Sequence, residues 1–110
     1  MEHRDQFVNV QEALNRLGGN MDLYKRLLDK FSESNQVAPL EEALNSGDSE
    51  QAIQLAHSIK GVASNLSLNK LANAAMKVEL CLKEGEDYSD AFTALKEAYR
   101  QTSYYLAEVQ

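Results

Sequence analysis

The stretch Asp48-Ser49-Glu50-Gln51-Ala52-Ile53-Gln54-Leu55-Ala56-His57-Ser58-Ile59-Lys60-Gly61-Val62-Ala63-Ser64-Asn65-Leu66 decides the fold class of this 110-residue chain. On a wheel of about 100° per residue, Ala52, Leu55, Ala56, Ile59, Val62, Ala63 and Leu66 share one broad arc, as in a helix that buries one side. Asp48 is a good N-cap for it. Elsewhere no segment alternates apolar and polar residues long enough for a strand, and Ala and Leu supply 28 residues against ten from Val, Ile and Thr. That composition forms helices. The expected fold is all-α.

Helix punctuation extends the reading in both directions. Asn9 with Glu12 resembles a capping box opening a short first helix that Gly18-Gly19 stops. Asn20 opens a second, with Leu23, Leu27, Leu28 and Phe31 inward, fraying near Ser34-Asn35. The third tolerates Pro39 in its first turn and ends at Gly47. After the fourth, Ser67 is expected to cap a fifth helix over about 68–84, closed by Gly85. Asp87 or Ser89 starts a sixth, with an apolar stripe of Phe92, Leu95, Tyr99, Thr102 and Leu106. Short loops between the longer helices imply an antiparallel four-helix bundle, with short N-terminal helices covering one end. Residues 1–110 read as a single domain.

Several functions are disfavoured by composition. With 17 acidic and 11 basic side chains the net charge is -6, which argues against nucleic acid or an anionic membrane as partner. The longest apolar run, Tyr104 to Ala107, is far too short to span a bilayer, and Met1 to Arg4 do not open a secretory signal. One cysteine, Cys81, offers neither an internal disulfide nor a zinc knuckle, so a reducing, cytoplasmic compartment is expected. Proteins become the expected partners, with the chain itself a monomer.

On the fourth helix, His57 stands roughly 180 to 200° from the middle of the core arc and therefore points outward. Ile53, Lys60, Gly61 and Ser64 share its stripe. Gly61 is unusual because it sits inside the helix at a cost of about 1 kcal/mol relative to alanine. Either a partner's backbone approaches closely there, or a neighbouring helix does. No acid occurs in the 28 residues from Gln51 to Val78, where Lys60, Lys70 and Lys77 carry the only formal charges. An anion would be tolerated on such a surface. A neutral imidazole is a competent nucleophile, and a lysine one turn away could offset charge on an incoming phosphoryl group. His3, near the chain terminus, carries no such context.

The residues His57-Ser58-Ile59-Lys60-Gly61-Val62-Ala63-Ser64-Asn65-Leu66-Ser67 resemble the signature His-x-x-Lys-Gly-x-Ala-x-x-Leu-Gly of histidine-containing phosphotransfer (HPt) domains. Every fixed position but the last matches; Ser67 stands where the family often has glycine. The likeness extends to Ala13-Leu14 with Arg16-Leu17-Gly18-Gly19, to the second helix ending in Phe31, and to Gly47-Asp48. It implies that His57 accepts a phosphoryl group from a receiver-domain aspartate and passes it to another receiver, with Lys60 steadying the group and Gly61 admitting the receiver. The domain would carry phosphohistidine without binding ATP, consistent with the lack of a Gly-rich phosphate loop. It would need no cofactor of its own, Mg²⁺ belonging to the receiver. Docking is expected over the fourth and fifth helices around Ile53, His57, Gly61, Ser64 and Leu68.

Two other readings are open at this point. The bundle could be an adaptor that binds receivers without carrying phosphate, or the histidine domain of a chemotaxis-type kinase. The chain could equally stand alone or serve a hybrid sensor kinase as its cytoplasmic part.

Overall fold

A computed structural model describes residues 6–109, with side chains through Ala107. Met1 to Arg4, including His3, lie outside the described residues. The helices are α1 (Val10–Arg16), α2 (Met21–Glu33), α3 (Val37–Ser46), α4 (Ser49–Asn65), α5 (Asn69–Glu84) and α6 (Ser89–Val109), with no strand among the described residues.

The starts follow the punctuation. Asn9, Asn20 and Asp48 side chains accept the backbone N–H of Glu12, Leu23 and Gln51 at 3.1, 3.0 and 3.1 Å. Each such cap is worth about 1 kcal/mol. Only half of the Asn9–Glu12 box forms: the Asn9 N–H donates to the Ser67 carbonyl, and the Glu12 carboxylate accepts from Asn69. Gln36 has no capping bond; instead Asn35 accepts the Ala38 N–H at 3.2 Å. Pro39 is the third residue of α3, where no helical acceptor awaits its missing N–H.

α5 packs between α4 and α6, and α3 packs on α4. The fourth side of the bundle is shared by two helices. α3 reaches α6 through Lys96–Glu41 at 3.5 Å, and α2 reaches it through Phe31 and Tyr99, ring centroids 6.0 Å apart. α1 covers the end where α4 turns into α5, its Arg16 bonded to the Ser64 carbonyl at 2.9 Å. Ala52, Ala56, Ile59, Ala63 and Leu66 are buried as their periodicity requires, while Leu55 and Val62 are half-buried at the edge. Tyr24, not among the expected inward residues of α2, is wholly buried, its hydroxyl donating to the Leu66 carbonyl at 2.7 Å. That bond answers the polar end of an otherwise apolar ring.

The turn after α4 corrects two expectations. Ser67 does not cap α5; the cap residue is Leu68, which has no side chain able to accept. Ser67 instead adopts φ 57°, the left-handed conformation that closes a Schellman motif. The Leu68 N–H returns to Ala63 O at 2.8 Å and the Ser67 N–H to Ser64 O at 3.2 Å. In this motif the residue after the left-handed one packs its apolar side chain back on the helix. Leu68 is accordingly fully buried and lines no docking surface.

Candidate functional site

α4 presents His57 outward, its side chain 64% exposed. The imidazole Nδ1 lies 3.0 Å from Glu79 Oε2 on α5. Glu79 is almost wholly buried, and its oxygens also hold Lys60 Nζ at 3.2 Å and Lys83 Nζ at 3.0 Å. Burial alone would push the Glu79 carboxyl up. The bonds from Lys83, Lys60 and His57 outweigh that and hold it below its ordinary value. An ionised carboxylate only accepts, so Nδ1 must carry the proton it shares with Glu79. The other ring nitrogen, Nε2, then has the free lone pair.

Two ammonium groups against one carboxylate leave the cluster a net positive charge beside an accessible nucleophile. Such a surface can receive a tetrahedral anion and hold it while a bond forms at nitrogen. Among the described residues no group of three or more His, Cys, Asp or Glu is arranged to hold a metal ion.

Of the stripe expected around His57, Gly61 and Ser64 are exposed, whereas Ile53 is half-buried. Lys60 is not the free surface lysine its wheel position suggests: its side chain is 32% exposed and its ammonium is engaged by Glu79. A Cβ built on Gly61 would meet nothing within 4 Å. No neighbouring helix therefore requires glycine there, which leaves the space above it open to another molecule.

Glu79 and Lys83 escaped the sequence reading. The acid-free stretch ends at Val78, one residue short of the carboxylate that folds back onto the site. The signal was available in α5. Ala72, Ala75, Glu79 and Leu82 follow helical spacing on the side packed inward, and a carboxylate on an apolar stripe requires a partner.

A family model for the Hpt domain matches residues 26–104, a span that contains all of these site residues. No curated protein and no solved structure matches the chain.

Proposed function

The chain belongs to the Hpt domain family, whose members work in phosphorelay phosphotransfer, and from that premise we propose that His57 is its phosphoacceptor, taking the group from one receiver domain and yielding it to another. The observation that carries this reading is the pairing of a buried Glu79 at Nδ1 with an exposed imidazole. Nε2 attacks phosphorus of the receiver's aspartyl phosphate. The phosphorus–oxygen bond breaks and the aspartate leaves as carboxylate. The new nitrogen–phosphorus bond puts positive charge on a ring that still holds its Nδ1 proton, and Glu79 stabilises that charge. Lys60, held on the same carboxylate, is within reach to offset charge on the phosphoryl oxygens. Transfer to a second receiver reverses these steps, the aspartate of that receiver attacking phosphorus and Nε2 leaving.

Hpt domains interact with receiver domains. The receiver would dock across α4 and α5, over Gly61 and Ser64 and the edge of Ile53. On α5, Met76 and Leu80 support this choice: 42 and 49% exposed, they lie three residues before and one after Glu79. Apolar side chains beside a reactive group are a usual contact surface. Leu68 takes no part.

The test is incubation with a panel of phosphorylated receivers, followed by mapping of acid-labile, alkali-stable phosphate. Label on His57 that vanishes in His57→Gln, with receiver binding retained, is the expected result. Undiminished transfer through His57→Gln overturns the proposal.

A further inference from the structure

We propose that Lys83 is a positioning residue for phosphotransfer: as the standing counter-ion of Glu79, it frees Lys60 to leave that carboxylate and follow the phosphoryl group once the group is on His57. The inference rests on His57 being the phosphoacceptor, and it gives a role to the one charged member of the cluster that the transfer steps leave unused.

Lys60 is not at liberty in the structure. Its ammonium is bound to Glu79 Oε1 at 3.2 Å, and its side chain is 32% exposed. Glu79 is 4% exposed, and a buried carboxylate that loses its last cation is left with an uncompensated charge, which is strongly unfavourable. Lys60 can therefore turn to the phosphoryl oxygens only if another cation stays behind.

Lys83 meets that need by its place in the chain. It follows Glu79 by four residues on α5, the spacing and order at which Glu and Lys pair on one helix, so its 3.0 Å contact with Oε2 does not depend on α4. His57 and Lys60 both reach Glu79 from α4. Oε2 receives Lys83 and the His57 Nδ1–H, whereas Lys60 is the side chain on Oε1. An ammonium has three donors, so Lys83 can also serve Oε1 as Lys60 departs.

The charges lead to the same exchange. Transfer makes the imidazole ring positive while its Nδ1–H stays on Glu79, and it brings negative oxygens to Nε2. Glu79 then has the ring and Lys83 as partners, and Lys60, one turn from His57, is the cation to spare. The Lys83 side chain is 55% exposed, so replacing it removes a charge without opening the core.

The lifetime of the phosphoryl group on His57 tests the assignment. The phosphorylated chain is prepared with phosphoramidate, from which Nε2 displaces ammonia at phosphorus, or with a receiver of the panel, and is then purified; phosphorus NMR follows the decay. Lys83→Met should shorten the lifetime about fivefold and Lys83→Arg should keep it. Lys83→Met should add almost nothing to Lys60→Ala, because both changes deprive the group of the same ammonium. The Lys60 Cε resonance should move on phosphorylation in the parent chain and stay in place in Lys83→Met, a response that a merely structural lysine would not control. An unchanged remainder of the amide spectrum shows that each variant is folded. Label from neither phosphoramidate nor any receiver would remove His57 as acceptor, and this inference with it. Label on His57 with an unchanged lifetime in Lys83→Met, a loss in Lys83→Arg equal to that in Lys83→Met, or additive losses in the double variant would overturn the exchange alone.

Discussion

Glu79 on α5 accepts the Nδ1–H of His57 on α4 across 3.0 Å, from a position 22 residues along the chain. The contact fixes which ring nitrogen is free and orients the ring toward solvent. Because the same carboxylate holds Lys60 and Lys83, one buried charge organises three exposed or half-exposed groups. The site is thus assembled by the register of two antiparallel helices, not by α4 alone.

Glu79→Gln should therefore slow phosphotransfer to His57 while leaving receiver binding near its original strength. The amide can still accept from Nδ1 but supplies no charge to the ring as it becomes positive. A charge-assisted bond is about twice as strong as a neutral one, so a loss on the order of tenfold is expected. Single-turnover transfer from a phosphorylated receiver measures it, and a rate equal to that of the unaltered chain would remove Glu79 from the chemistry.

The same carboxyl makes stability depend on pH in a predictable direction. Its pKa in the folded chain lies below the ordinary 4.5, so in that range the unfolded chain binds more protons. The contribution is complete above about 4.5 and is lost as pH falls through the lower folded value. Glu12, Asp87 and Glu97 are also depressed and form a common background. Denaturant midpoints taken from neutral to acid pH should fall more steeply for the unaltered chain than for Glu79→Gln. Parallel curves would show that Glu79 gains nothing from its three partners.

Much of this was legible in the sequence, for identifiable reasons. Helix boundaries are local: Asn20 and Asp48 bond to residues three positions on, so spacing alone reveals them. The outward placement of His57, Gly61 and Ser64 follows from one helical wheel. That Glu79 faces inward is encoded in the spacing of α5, but which groups it meets depends on how α5 lies against α4, which no periodicity within either helix encodes. The burial of Leu68 is not legible, because a serine before a helix looks like a cap, whereas here the chain needs a left-handed residue to reverse direction. The wheel puts Lys60 on the stripe of His57, but its ion pair with Glu79 waits on the same inter-helix register.

Lys60→Ala separates charge from folding. Glu79 keeps Lys83 and His57, so the buried carboxylate is not left without a partner and the melting temperature should fall only modestly. Transfer should slow, or phosphorylated His57 should decay faster, because one of the two ammonium groups of the cluster is gone. Thermal denaturation beside transfer and decay kinetics checks both halves; a large fall in stability with unchanged kinetics would make Lys60 structural.

Gly61 and Ser67 stand six residues apart at opposite ends of the same argument. Gly61 lies within α4, where alanine is preferred to glycine, and a Cβ there meets nothing within 4 Å. Gly61→Ala should raise stability by roughly 0.5 to 1 kcal/mol, since the unfolded chain loses freedom and the native angles suit alanine. Ser67 has φ 57°, where a side chain is strained and glycine is not. Its hydroxyl also bonds Arg16, so Ser67→Ala loses that bond and keeps the strain, whereas Ser67→Gly loses the bond and releases it. Ser67→Gly should consequently be more stable than Ser67→Ala by about 1 kcal/mol, the reverse of the order at position 61. Function should divide differently. Gly61→Ala, and Gly61→Gln more strongly, should slow transfer from a receiver because a side chain now occupies the space one turn from His57, while the two Ser67 variants, buried beneath the turn, should transfer normally per folded molecule. Urea unfolding and transfer rates on all four variants decide the matter: Gly61→Ala less stable than the parent chain with undiminished transfer would mean that glycine serves the fold and that no partner comes close there.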